Sequence, residues 1–468
     1  MEFRIERDTM GEVKVPSDAY YGAQTQRAVE NFRVSSLRLP FAFIKAQAII
    51  KRAAALANMA SGRLERMAGE ALVTASGEVI AGKYADQFVV DVFQAGAGTS
   101  QNMNMNEVLA NRAIEILGGS KGDYGRVNPN DHANMSQSTN DTFHAAIHIA
   151  AYMEIMRNLL PAIANLEEAL SDKAREFDTI VKSGRTHLQD AVPIRLGQEF
   201  GAYASMMQHD RRRIEKASAA LLELCIGGTA VGTGLNVDPH FRENALRHIK
   251  EMTGFGFGAA ENMFEAMQGL DAIVELAGAM RVLVTSLRKI ADDFRLLSSG
   301  PRTGLAEIQL PPVQPGSSIM PGKVNPVMAE MLDMVCFHAL GCDMAIVSAA
   351  QAGQLELNVM MPIVAYNTLL EIEILANGIR NFTEKCVIGI AADRERCRLY
   401  AEKSTSLATA LNPYIGYNRA AELSKEAYRD NKLIRDLALS KKLMDKEELR
   451  RILDIHKMTV DPAEKGEE

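Results

Sequence analysis

Four polar, glycine-bearing islands interrupt a chain otherwise rich in small and unbranched apolar residues, and they hold the side chains with chemistry to offer. The first is Gly96-Ala97-Gly98-Thr99-Ser100-Gln101-Asn102-Met103-Asn104. The second is Asn128-Pro129-Asn130-Asp131-His132, running into Ser136-Gln137-Ser138-Thr139-Asn140-Asp141. The third is Gly184-Arg185-Thr186-His187-Leu188-Gln189-Asp190, and the fourth runs from Gly316-Ser317-Ser318 through Pro321-Gly322-Lys323-Val324-Asn325 to Pro326. Each is expected at or near the start of a helix, where unpaired backbone N–H groups and the positive end of the dipole favour anions. Taken singly, their Ser, Thr and Asn residues read as plain N-caps. Taken together, with Lys323 and His187, they form a donor array suited to two carboxylates.

Long helices must position these islands. Ile273, Leu276, Met280, Leu283, Leu287, Ile290, Phe294 and Leu297 alternate steps of three and four. That heptad seam predicts about 37 Å of helix. Ile155, Leu159, Ile163, Leu166 and Leu170 make a second stripe, and Phe200, Tyr203 and Met207 open a third, continued by Ile214, Leu221 and Leu224. Further apolar helices are expected at about 326–350 and 356–385. Five long helices separated by Gly/Pro/Ser loops describe a bundle, and no strand–helix alternation supports a doubly wound sheet. The first 40 residues read as turns, a helix is expected from Phe41, and Gln94 to Asn106 reads as a loop. From about 395 the pattern shortens into small helices, ending in a charged tail, Asp461 to Glu468, expected to fray. Apolar seams on several faces of one helix imply burial against other subunits.

Composition narrows the partners. The net charge of −7 argues against a nucleic-acid backbone. Cys225, Cys336, Cys342, Cys386 and Cys397 lack CxxC spacing and read as reduced thiols, which suits the cytoplasm. The N-terminus carries charges rather than an apolar signal core, and no stretch of about 18 uninterrupted apolar residues argues for a membrane span.

Several local patterns are set aside. Gly254-Phe255-Gly256-Phe257-Gly258-Ala259 imitates a dinucleotide fingerprint but follows a helix-like segment rather than a strand. His144 and His148, four apart, could share a metal but lack a third ligand, and read as surface histidines. Arg211-Arg212-Arg213 reads as a solvated face or an inter-subunit salt bridge. Gly227 to Gly234 lacks the Lys-Ser/Thr of a P-loop.

The islands resemble the fumarase/aspartase superfamily. GSSIMPGKVNP (Gly316 to Pro326) resembles its signature loop, with Val324 where succinylated-substrate lyases carry a basic residue. The resemblance runs from YYGAQTQRAVENF (Tyr20 to Phe32) to NPYIGY (Asn412 to Tyr417). GAGTS (Gly96 to Ser100), SQSTND (Ser136 to Asp141) and GRTHLQDAVP look more like the aspartase branch. Thr142-Phe143, Ile147 to Ala150, Gly227-Gly228-Thr229 and Phe264-Glu265-Ala266 look more like the fumarase branch. Met361 stands where the aspartases usually carry Glu, and His144 where Pro is common in both branches.

The resemblance implies a mainly all-α, three-domain fold with a central long-helix bundle assembling a tetrameric helical core. The domains expected are 1–140, 141–394 and 395–468. It implies elimination of ammonia or water from a small dicarboxylate, with no organic cofactor and no metal, in a homotetramer whose subunits share each active site. Ser317 would be the general base. Thr99, Ser138, Thr139 and Ser318 would hold the β-carboxylate. Lys323, Asn325 and Thr186 would face the α-carboxylate, while Asn140 and His187 would lie near the leaving group.

Overall fold

The structure, a computed structural model, describes residues 2–460; the tail expected to fray lies outside them. Helices dominate, as the composition implies, and among the described residues the strands pair in small two-stranded ribbons. The chain divides into two compact units. The first comprises Met1–Pro161, Asp210–Val284 and Phe337–Ala376, the second Ala162–His209, Thr285–Cys336 and Asn377–Glu468. The boundaries fall within the long helices, each of which supplies residues to both units.

The heptad seam forms the helix Asp271–Leu297, and all of its predicted positions are buried. The second stripe is also buried, but its helix is not uniform. Thr139–Glu154 passes through a π-turn, Ile155–Leu159, into Leu160–Glu176. The wider turn directly precedes Pro161, which has no N–H to return to the preceding turn, so the ladder loosens there instead of breaking. The third stripe is buried as expected, yet its helix, Leu196–Ser218, stops before Leu221 and Leu224, which pass into a 3-10 turn and a short strand. Val327–Ala350 matches its expected bounds. Met361–Lys385 starts later than expected, because Pro362 fits only in a first helical turn. Within the second unit Phe294 stacks between Phe200 and Phe382, with ring centroids 5.3 and 5.7 Å away, pinning three long helices together.

Three further expectations are corrected. The first 40 residues hold a β-hairpin, Phe3–Asp8 against Gly11–Pro16, whose tight turn depends on Gly11 at φ +117°, and a helix, Ala23–Asn31. The segment Gln94 to Asn106 is a loop only as far as Gly98. Thr99–Ile116 is helical because Asn102, Asn104 and Asn106 are buried and bonded rather than left to turn the chain. His144 and His148 are buried, not at the surface. His144 Nε2 bonds the Gly269 carbonyl and His148 Nδ1 the Glu223 carbonyl, and burial pushes the pKa of both rings down.

Val327–Ala350 is long and apolar enough to cross a membrane by length and composition alone. Its charges favour a bundle helix. In the first unit Asp343 takes a bidentate contact from Arg281 at 2.6 and 2.8 Å, and in the second Asp333 accepts a single hydrogen bond from Arg295 at 2.9 Å. Met334, Phe337 and Met344 on this helix are more than half exposed in the single chain. The five cysteines are all buried and unpaired.

Candidate active site

In the first unit the first island is a helix start that only glycine permits. Gly98 caps Thr99–Ile116 at φ +86°, and a Cβ there would lie 2.1 Å from the Phe143 ring. The amide of Ala97 donates to the Val359 carbonyl at 2.8 Å, and the side chain of Gln94 caps the helix by accepting from the Gln101 amide at 2.9 Å. Thr99 is thereby left exposed at the positive end of an 18-residue helix.

Phe143 belongs to the helix that the second island starts. Ser138 caps Thr139–Glu154, its Oγ accepting from the Asn140 amide, while Asp141 accepts from the Ser138 amide at 2.9 Å to complete a capping box. The buried Asp141 also accepts from the Gly227 and Thr229 amides at 3.1 and 3.0 Å. Burial outweighs these donors and raises its pKa to about 6. Asn140 Nδ2 donates to the Ala230 carbonyl at 2.8 Å, which turns its Oδ1 away as an acceptor. The structure thus brings Thr99 and the Ser138-Thr139-Asn140 run together, at two helix starts packed through Gly98 and Phe143. The other half of this island, Pro129–Ala133, forms one π-turn capped by Asn128.

In the second unit the third island is not a helix start. It is the tip of an antiparallel hairpin, Val181–Thr186 with Gln189–Arg195. His187 and Leu188 make the two-residue turn at φ +54° and +58°, a geometry that usually selects Asn or Gly. Thr186 and His187 are consequently exposed at the tip. The first strand of the hairpin is held by charge. Glu307, fully buried, meets Lys182 and Arg185 at 2.9 Å each, and Lys182 reaches Glu199 at 2.8 Å. Sequence reasoning missed this cluster, because isolated Lys, Arg and Glu residues so far apart in the chain carry no spacing signal.

The fourth island is a closed loop ahead of Val327–Ala350. The Gly316 amide donates to the Lys323 carbonyl at 2.7 Å, and Asn325 Nδ2 donates to the Gly316 carbonyl at 2.7 Å. Within this ring Ser317 Oγ accepts from the Ile319 and Met320 amides at 3.2 and 3.0 Å. Two N–H donors on one hydroxyl oxygen stabilise its alkoxide, the form in which serine can take a proton. Ser318 and Lys323 project from the same loop and are exposed. Asn325, expected to face a carboxylate, has its amide donor engaged in closing the ring.

Among the described residues no three or more His, Cys, Asp or Glu side chains are grouped to hold a metal. His144 and His148, whose rings lie 4.5 Å apart, remain a buried pair.

Comparisons with known proteins identify the family. The family model described as Lyase matches residues 11–341, and that described as Fumarase C C-terminus matches residues 407–460. The chain is 48% identical over 458 residues to the aspartate ammonia-lyase of Bacillus subtilis (strain 168), covering 98% of this chain and 96% of that protein. It is 49% identical over 448 residues to the class II fumarate hydratase of Neisseria meningitidis serogroup A, covering 96% and 97%. The crystal structure of the fumarate lyase:delta crystallin from Brucella melitensis superimposes with a TM-score of 0.95 at 46% identity, covering 98% of this chain and all of that one. With the family model spanning well over half of its length, and relatives of both branches aligned nearly end to end, the chain belongs to the fumarase/aspartase superfamily of lyases.

Proposed function

We propose that this lyase is an aspartate ammonia-lyase, converting L-aspartate reversibly to fumarate and ammonia. Ser317, as its alkoxide, takes the Cβ proton, and the electron pair of that bond moves into the adjacent carboxylate to give an aci-carboxylate. Collapse of this intermediate forms the double bond as the Cα–N bond breaks and nitrogen leaves with its pair. Thr99, Ser138, Thr139 and Ser318 hold the β-carboxylate, where the extra charge develops. Lys323 and Thr186 face the α-carboxylate, with Asn325 setting the loop that carries Lys323. No organic cofactor or metal is required by this scheme.

The observation that carries the choice of leaving group is the fixed amide of Asn140. With Nδ2 on the Ala230 carbonyl, its Oδ1 is presented as an acceptor, which an amine needs. The GAGTS and SQSTND islands and the Bacillus subtilis relative support the same branch. His187 could serve either leaving group, as acceptor for an amine or proton donor for a hydroxyl. The second reading, fumarate hydration, is favoured by the Neisseria meningitidis relative and by the fumarase-like helical segments. The ultraviolet absorbance of fumarate separates the two readings, with L-aspartate and L-malate supplied at equal concentration. Aspartate is expected to give fumarate and malate little; the reverse result installs the hydratase reading.

The assembly proposed is a cytoplasmic homotetramer with each site shared between subunits, and with neither nucleic acid nor membrane as partner. The exposed Met334, Phe337 and Met344 stripe supports burial against other copies. The separate core of the C-terminal segment, from Leu407 to Leu449, and its own family match support the third of the domains 1–140, 141–394 and 395–468. Sedimentation at assay concentration is expected to show the active species as a tetramer; an active monomer overturns the assembly.

A further inference from the structure

One buried cation lies outside the chemistry above. Lys51 sits in the middle of the helix Phe41–Ala60, 2% exposed, and its Nζ donates to Asn134 Oδ1 at 2.9 Å. The same oxygen accepts from Asn102 Nδ2 at 3.1 Å and Asn106 Nδ2 at 3.2 Å. Asn102 and Asn106 stand one turn apart on Thr99–Ile116, the helix whose start carries Thr99. Asn134 in turn leads directly into Ser138-Thr139-Asn140, and its Nδ2 donates to the Gln137 carbonyl at 3.3 Å. Two turns further along the Lys51 helix, Asn58 Nδ2 donates to the Met135 carbonyl at 3.0 Å and Asn58 Oδ1 accepts from Ser136 Oγ at 2.8 Å. Lys51 and Asn58 therefore hold three consecutive residues, Asn134 to Ser136, of the turn that leads to Ser138, and Asn134 ties that turn to the first island.

We infer that Lys51 is a positioning residue for elimination: through Asn134 it sets the spacing between Thr99 and the Ser138-Thr139-Asn140 run. The inference rests on the functional reading of those islands given above. A stabilising role alone does not explain a lysine here. An ammonium taken out of water with a neutral amide oxygen as its hydrogen-bond acceptor is unfavourable, and an apolar side chain of similar volume is commonly as stable or more so. Burial accordingly draws its pKa down to about 7, with Asp141 supplying partial compensation. Asn134 Oδ1 would keep its two asparagine donors without Lys51, and Asn58 would still hold Met135 and Ser136, so the turn would fold but lose its link to the Phe41–Ala60 helix at Asn134.

The test compares Lys51→Met and Lys51→Gln with the parent enzyme in the assay that establishes its substrate, alongside thermal unfolding at pH 6. Small displacements of groups that bind the developing charge weaken the transition state more than the ground state. Lys51→Met is therefore expected to lose about 10- to 100-fold, mostly in kcat rather than in KM, the scale set by sub-ångström misplacement. Its Tm should hold or rise, because at pH 6 the ammonium is charged in both folded and unfolded chains and only the folded one buries it. Lys51→Gln, which keeps an N–H donor toward Asn134, should recover part of kcat. An active parent with Lys51→Met unchanged in kcat, or with kcat lost only in proportion to a lowered Tm, overturns the assignment while leaving the functional reading intact. A folded parent inactive on both aspartate and malate overturns that reading and this assignment with it.

Discussion

Ser317→Ala is expected to reduce kcat by about 10²- to 10⁴-fold, the usual contribution of a positioned base, with KM little altered. The separation follows from the loop geometry. Ser317 Oγ receives the Ile319 and Met320 amides, and those donors hold negative charge on the oxygen without needing a carboxylate of the substrate. Removing the hydroxyl abolishes proton abstraction but leaves Ser318, Lys323 and the ring closed by Gly316 and Asn325. Steady-state kinetics on the purified variant, with circular dichroism to confirm the fold, decide the matter. Turnover within a few-fold of the parent would take Ser317 out of the base role.

Gly316→Ala should be nearly as damaging, although it removes no functional group. A Cβ at this position would lie 2.6 Å from the Lys323 carbonyl oxygen and 2.8 Å from the Asn325 amide, both backbone atoms with little freedom to move aside. The Gly316–Lys323 and Asn325–Gly316 hydrogen bonds would open, and Ser317 and Lys323 would lose their common frame. A displacement of about 1 Å in a catalytic constellation costs on the order of 10²-fold in rate. We expect kcat/KM to fall by about that factor, with both kcat and KM affected, unlike the pure kcat loss of Ser317→Ala. The loop is exposed, so Tm should move little. Parent-like kcat/KM in Gly316→Ala would show that the closed ring is not needed for activity.

The parts of this molecule that repeat were legible in the sequence. The seam from Ile273 to Leu297 could be read residue by residue, because a buried helix face recurs with the period of the helix itself. The four islands could be read because hydroxyls, amides and glycines in apolar surroundings are conspicuous. What failed has a common physical cause: local composition was outvoted by partners far away in the chain. Asn102, Asn104 and Asn106 suggest a loop until Asn134 and the Gln87 carbonyl are present to satisfy them within a helix. Thr186-His187-Leu188 lacks the Asn-Gly signal of a tight hairpin, and the hairpin is held instead by Glu307 gripping Lys182 and Arg185 along its first strand. His144 and His148 look like surface residues in the sequence because their carbonyl partners, on Gly269 and Glu223, are remote in the chain. Lys51 is silent in the sequence for the same reason: nothing near it in the chain marks it as buried.

The burial of every cysteine makes the native protein a ready background for site-directed labelling. Cys225, Cys336, Cys342, Cys386 and Cys397 all have thiol pKa values raised by desolvation, so little thiolate is present to react with maleimides or iodoacetamides. No native thiol need be mutated away first. A single cysteine placed at the exposed position of Met320, for example, would be the one fast-reacting thiol in the folded chain. A fluorophore attached there would report whether the surroundings of the Ser317 loop change when substrate is added.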